Sequence, residues 1–168
     1  ASSKEYGPEM RALFTVPEDK VLVGADLSGL ELRCLAHYMN DKNYTKEILT
    51  GDIHSANQKS AGLDTRDKAK TFIYAFLYGA GDKKIGSIAG GGVAEGKELK
   101  ENFLNNTPAL KKLRYRVGKA SDKGYLNALD GRKIRVRSEH ASLNFLLQSA
   151  GAIIAKRAWD IFHGLAQY

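Results

Sequence analysis

Apolar and polar positions along this chain follow helical spacing for most of its length. The clearest run begins at Thr65, "TRDKAKTFIYAFLYGAG", where Ala69, Phe72, Ile73, Phe76 and Leu77 form one apolar face of an amphipathic helix. Asp64 or Thr65 can cap that helix, and Asp67 sits favourably in its first turn. Before it, Ser28 opens the helical segment "SGLELRCLAHYMND", which closes at residues 41–43. "YTKEILTGDIHSANQKSAG" then reads as short helices separated by a turn at Gly51 and Asp52. After it, "GAGDKKIGSIAGGG" is a glycine-punctuated break around one short helix, and residues 96–104 and 108–123 read as two more helices. "EHASLNFLLQSAGAIIAKRAWDIFHGL" predicts a long final helix that tolerates Gly151.

Strand signals are few. "VLVGAD", residues 21–26, is a β-branched apolar run that predicts a short buried strand. "YLNALDGRKIRVRS" predicts a hairpin turning at Asp130 and Gly131. The first twenty residues carry Pro8 and Pro17 and read as an irregular lead-in. The expected class is α+β and mostly α-helical, with three short strands.

With 168 residues, 43% hydrophobic and 27% charged, the chain has the balance of one soluble globular domain. No apolar run approaches the roughly 18 residues of a membrane span, and no charged stretch followed by an apolar one suggests an export signal. The single cysteine, Cys34, cannot form an internal disulfide and fits a reducing compartment. The net charge of +7 is unevenly placed. Residues 96–137 hold twelve Lys or Arg against four Asp or Glu, while the first sixty hold seven against nine. Such asymmetry suits a polyanionic partner, although a solvated basic face would look the same.

Several residues could carry chemistry. Arg66, Lys70, Tyr74 and Tyr78 recur every four positions, so the first three stand in a column that can follow a polyphosphate or simply face solvent. Asp26 ends the apolar run of residues 21–26. A carboxylate there would be held by a hard cation such as magnesium, or would cap the following helix. Glu31 lies about a turn and a half into that helix and either faces the same cleft or pairs with a surface base. "GVAEGKE" nearly fits a phosphate loop through Gly91, Gly96 and Lys97, but Glu98 stands where a hydroxyl is required. Cys34 and His37 are one helical turn apart, without the second pair that a structural zinc site needs. His54 in "GDIH" could donate to an anion. His140, Asn144 and Gln148 make a polar stripe opposite Leu143, Phe145, Leu146, Leu147, Ile153 and Ile154, either merely wet or suited to bases and sugars.

Taken in order, "DLSGLELR", "RDKAKTFIYAFLYG" and "LDGRKIRVRSEHASLNFLLQSAGAII" resemble the polymerase domain of family-A DNA polymerases, close to the short-tailed bacteriophage replicases. The resemblance covers residues 6–163. It implies a partial palm over residues 1–40 with the first palm motif, fingers over 41–123, and a hairpin and long helix over 124–168 returning toward the palm. It further implies that Asp26 and the Leu27 carbonyl hold magnesium, two ions in the complete enzyme. Ser28, Gly29, Leu30, Glu31, His54, Arg66, Lys70 and Tyr74 resemble the deoxynucleoside triphosphate (dNTP) pocket. Within it, Glu31 resembles the residue that blocks a ribose 2′-hydroxyl, packed against Tyr74, and Lys70 joins Asp26 in catalysis. Tyr78, Gly79, His140, Asn144 and Gln148 resemble the primer–template contacts.

The implied reaction is in-line nucleotidyl transfer to a primer 3′-hydroxyl with loss of pyrophosphate. Implied partners are primer–template DNA, dNTPs, the remainder of the polymerase and a processivity factor, with no membrane, in the cytoplasm of an infected bacterial host. The pattern departs in one respect: the family's second aspartate, in a His-Asp-Glu strand beyond the position of Gln148, has no counterpart here. Thumb, exonuclease and an arginine upstream of the first motif are also missing, so the expectation is a truncated product or one piece of a split polymerase, inactive alone. A non-catalytic nucleic-acid-binding module and, less favoured, a phosphate-loop NTPase are the competing readings.

Overall fold

A computed structural model describes residues 5–165 of the chain. The outermost residues of the two terminal segments, 1–4 and 166–168, lie outside the described residues. In chain order the helices are α1 (Gly7–Ala12), α2 (Leu30–Met39), α3 (Lys42–Thr50), α4 (Ile53–Ala61), α5 (Arg66–Leu77), α6 (Asp82–Ala89), α7 (Val93–Asn106) and α8 (Pro108–Ser121). Strands β1 (Tyr125–Asn127) and β2 (Lys133–Arg135) follow, then a 3-10 turn (Glu139–Ala141) that leads into α9 (Ser142–Leu165).

Short polar side chains start three of these helices by satisfying a free backbone N–H. The Asp41 carboxylate accepts from Tyr44 N at 2.9 Å, Asp52 from His54 N at 3.1 Å, and the Thr65 hydroxyl from Lys68 N at 3.2 Å. The apolar face read for α5 is the one that is buried, with Ala69, Phe72, Ile73, Phe76 and Leu77 all inside. Phe103 of α7 meets the rings of Phe72 and Phe76 edge-on at 5.1 and 5.4 Å. Each such pair contributes about 0.5–1.5 kcal/mol beyond the burial of its area. Leu35 of α2, Ile85 of α6, Leu110 of α8 and Leu147 of α9 close the same core, so α5 is its central helix.

The glycine-rich stretch forms a helix junction, not a phosphate loop. Gly96 lies inside α7, and a methyl group there would overlap the Asp82 carbonyl oxygen. A methyl group at Gly86 would overlap the Gly92 carbonyl in the same way, so these two glycines let α6 and α7 touch backbone to backbone. Glu95 Oε2 accepts from Gly92 N at 2.7 Å and fixes the start of α7. The phosphate-loop reading is therefore set aside.

The hairpin is present: β1 and β2 pair antiparallel with Leu126 opposite Ile134, and Gly131 supplies a φ of +83° at the turn. The expected strand over residues 21–26 is not. That segment is irregular, and Val21, Leu22 and Val23 are 83%, 75% and 66% exposed. A strand exists only with a neighbour to accept its hydrogen bonds, and the sheet among the described residues holds β1 and β2 alone. Residues Val23, Ala25 and Leu27 instead share a cavity of about 220 Å³ with Ala155, Ala158, Trp159 and Phe162 on the outer half of α9. Helix α2 begins at Leu30 and not at Ser28, and Gly29, at φ +62°, stands at its N-cap in place of Asp26; the Ser28 carbonyl accepts from Arg33 Nε at 3.0 Å. No described helix is long and apolar enough to cross a membrane.

Candidate functional site

Two groups of the residues singled out above come together on the outer side of α5. The first lies at its start. Arg66, the first residue of α5, donates through Nε and Nη2 to Asp52 Oδ2 and Oδ1 at 2.7 and 3.1 Å. Asp52 is also the cap of α4 and accepts from the Ser55 hydroxyl at 2.7 Å. The Arg66 hydrogen bonds, helped by Ser55, hold the Asp52 carboxyl well below the ordinary carboxylate range. Because both partners are largely exposed, the pair orients Arg66 more than it stabilises the fold.

His54 follows two residues after Asp52, and its ring centroid is 6.2 Å from that of Tyr74. Its Nδ1 is buried without a hydrogen-bond partner among the described residues. Burial, and then the charge of Arg66, push the His54 pKa down; Asp52 pulls the other way, and Lys70 adds a smaller lowering effect. Three groups able to bear positive charge thus converge beside a half-buried tyrosine. Lys70 itself is exposed, with no ion pair among the described residues. Burial, Glu31 and Tyr78 raise the Tyr74 hydroxyl above its ordinary range.

The second group lies at the end of α5. The Tyr78 hydroxyl donates to Glu31 Oε1 at 3.3 Å and accepts from Gln148 Nε2 at 3.4 Å, so one phenol links α2, α5 and α9. Glu31 was expected against Tyr74; its hydrogen bond goes to Tyr78, and it acts on Tyr74 through charge. Gly79 has φ +76°, and a methyl group there would sit 3.0 Å from the His140 carbonyl oxygen, so α5 ends directly on the 3-10 turn. Asn144 is half-buried on α9 between His140 and Gln148. Leu30 sits close to Gly151, where an added methyl would be 3.3 Å from Leu30 Cδ2.

Asp26, Leu27 and Ser28 make no hydrogen bond or ion pair with the side chains of either group among the described residues. All three are exposed on the irregular segment, and Asp26 has no hydrogen-bond or ion-pair partner among the described residues. The Asp26 carboxylate and Leu27 carbonyl are oxygen donors of the kind magnesium prefers. They are too few to make a site: no group of three or more acidic, histidine or cysteine side chains that could hold a metal occurs among the described residues. Cys34 is buried, and burial followed by the charge of Glu31 raises its thiol pKa.

Asp52 was missed in the sequence as a partner of Arg66. Its signal was present in "GDIH", an acid two positions before His54, but the spacing of fourteen residues to Arg66 carries no periodic pattern.

Residues 1–164 match the family model described as DNA polymerase family A. The chain is 49% identical over 177 aligned positions to the DNA-directed DNA polymerase of Enterobacteria phage T3, covering 90% of this chain and 25% of that protein. The same figures hold for the enzyme of Escherichia phage T7. For that of Escherichia phage Phieco32, identity is 44%, covering 86% of this chain and 30% of the relative. The chain thus spans about a quarter to a third of these relatives. The POL domain of Pol1 from M. smegmatis, solved in complex with DNA primer-template and dNTP, shares the fold with a TM-score of 0.64 at 23% identity, over 77% of this chain and 27% of that one. The chain belongs to DNA polymerase family A.

Proposed function

We propose that this chain forms the fingers, residues 41–123, and part of the palm, residues 1–40, of a template-directed DNA polymerase. Residues 124–168 would return toward the palm. The observation that carries this reading is the convergence of His54, Arg66 and Lys70 beside Tyr74, which leaves His54 neutral-leaning and next to two cations. A triphosphate is the ligand that such a cluster suits, since it would restore charge balance and favour the imidazolium. Arg66 presents a planar fork and Lys70 a point charge to successive phosphates. Tyr74 offers a ring for the base and sugar. Ser28, Gly29, Leu30 and Glu31 close the sugar side, with the Glu31 carboxylate excluding a 2′-hydroxyl.

Tyr78, Gly79, His140, Asn144 and Gln148 lie on the primer–template side. In this reading the Asp26 carboxylate and the Leu27 carbonyl supply oxygens to magnesium, two ions in the full enzyme, and the other ligands come from elsewhere in the polymerase. The metal chemistry is activation of the primer hydroxyl and stabilisation of the departing pyrophosphate. What these residues do themselves is bind, orient and neutralise the triphosphate and exclude water around it. The naming of the phage relatives and of the M. smegmatis complex supports DNA and dNTPs as partners; the rest of the polymerase and a processivity factor are further partners in the same reading. The cytoplasm of an infected bacterium is the matching compartment.

Titration of the purified chain with a dNTP tests the reading. Saturable binding should weaken on the order of tenfold in Arg66→Ala and in Lys70→Ala, as expected for loss of a charge-assisted contact. Affinity unchanged from that of the unaltered chain in both variants would remove the triphosphate site. Because Asp26 is the one carboxylate assigned to metal here, the polypeptide alone should not extend a primer. Steady extension that vanishes in Asp26→Ala would overturn that.

A further inference from the structure

Four side-chain nitrogen or oxygen atoms among the described residues are buried without a hydrogen-bond partner, and three of them belong to neighbouring helices α3 and α4: the Tyr44 hydroxyl, His54 Nδ1 and Asn57 Nδ2. His54 and Asn57 lie three positions apart, on one face of α4. Asn57 is 1% exposed, the most deeply buried polar residue of the chain's described part. Burial pushes the Tyr44 hydroxyl up to about 12, Asn57 draws it partly back as a hydrogen-bond donor, and Tyr74 raises it again. Asn57 is therefore within reach of the Tyr44 hydroxyl, although the two do not close a well-formed hydrogen bond. Tyr74 is common to both sides: it acts on Tyr44, and its ring lies against that of His54. Burying a hydrogen-bonding group without a partner is costly, and three such groups in one place call for one explanation.

The three are chemically complementary. Asn57 Nδ2 can only donate, a phenol O–H donates or accepts, and a neutral imidazole keeps one nitrogen as an acceptor. With donors at Tyr44 and Asn57, Nδ1 is that acceptor and the ring proton belongs on Nε2. Nε2 has no hydrogen bond among the described residues and is not sealed in as Nδ1 is, so it is the nitrogen open to a ligand.

We propose that Tyr44 and Asn57 are positioning residues for His54: their hydrogen bonds close on Nδ1, directly or across one ordered water, and so hold the imidazole with Nε2–H toward the triphosphate. The inference rests on the triphosphate reading of His54 and adds to it what fixes the ring. Tyr44 suits both protonation states of that ring. Its hydroxyl donates to Nδ1 of the neutral imidazole and, once phosphate favours the imidazolium, turns to accept from Nδ1–H. Nε2–H faces the phosphates throughout.

The test uses the 168-residue chain, isotope-labelled at the histidine ring nitrogens, with NMR spectra and dNTP titrations side by side. At pH ~7.5, above the ordinary histidine value, the His54 ring should carry its proton on Nε2 and leave Nδ1 bare. Tyr44→Phe removes only the hydroxyl oxygen, and Asn57→Leu replaces the amide with an apolar group of similar size. Each should leave His54 a mixture of tautomers and weaken dNTP binding roughly two- to tenfold, the worth of one hydrogen bond. In a His54→Ala chain, Tyr44→Phe should change dNTP affinity no further, because its effect runs through the imidazole. A ring proton on Nδ1 of the unaltered chain overturns the proposal. So does a Tyr44→Phe variant that leaves either the tautomer or the dNTP affinity as it was, or one that costs the same affinity with His54 absent. Each of these results leaves the triphosphate reading standing. Tyr44→Phe decides the matter where Asn57→Leu fails to fold. A chain that binds no dNTP removes the triphosphate reading and this role together.

Discussion

The hydroxyl of Tyr78 lies 3.3 Å from Glu31 Oε1, a hydrogen bond between residues 47 positions apart in the chain. It ties the start of α2 to the end of α5, and Gln148 extends the tie to α9. The proposed sugar-side residue and the proposed primer–template residues are thus mechanically joined, and movement of α5 against α2 must break this bond. Tyr78→Phe should therefore cost little stability, at the lower end of the roughly 0.5–1.5 kcal/mol of an ordinary hydrogen bond, because Tyr78 is 52% exposed. Urea denaturation measures this; a loss above about 3 kcal/mol would require the substitution to strand a buried polar group, whereas the Tyr78 hydrogen bonds to Glu31 and Gln148 are exposed.

His54 is the pH-sensitive element of the site. Its folded pKa lies below the ordinary histidine value, so its neutral form is favoured in the fold. The unfolded chain then binds the proton more readily. Stability from this group is complete above the ordinary value of about 6.5 and is lost as pH falls from there through the lower folded value. A triphosphate bound as proposed would reverse the preference. NMR titration of the His54 ring should show its pKa rising when a dNTP is added, and an unmoved pKa would place the phosphates elsewhere.

Asp52 competes with any anion for Arg66, since the same fork cannot serve two bidentate partners at once. Asp52→Asn removes the negative charge but keeps a cap for α4. Triphosphate affinity should rise several-fold at low ionic strength, and the gain should shrink as salt screens it. Isothermal titration at two salt concentrations measures both. A weaker affinity would make Asp52 a device that positions Arg66 for its ligand.

The glycine junction separates architecture from nucleotide chemistry. Gly96→Ala forces a methyl group into the Asp82 carbonyl and should destabilise the chain by about 1–3 kcal/mol, the usual cost of overpacking. Lys97→Ala, next along α7, should leave both thermal stability and dNTP binding nearly unchanged. Loss of nucleotide binding in Lys97→Ala would revive the phosphate-loop reading.

What the sequence by itself determined were features that local interactions decide. The α5 helix and its buried face were legible, and its cap was narrowed to Asp64 or Thr65, because capping and apolar periodicity act within one or two turns. The hairpin at Gly131 was legible for the same reason, since its turn and pairing are only a few residues apart. Residues 21–26 have the composition of a strand, but a strand is defined by its neighbour, and no described segment lies alongside to hydrogen-bond with it. The family motifs named Arg66, Glu31 and Tyr78, yet the spacing could not say that Arg66 hydrogen-bonds Asp52 or that Glu31 hydrogen-bonds Tyr78. Those choices were made only when α2, α4 and α5 packed on the Phe72 and Phe103 core, because side chains far apart in sequence meet where the core has already set their distance and angle.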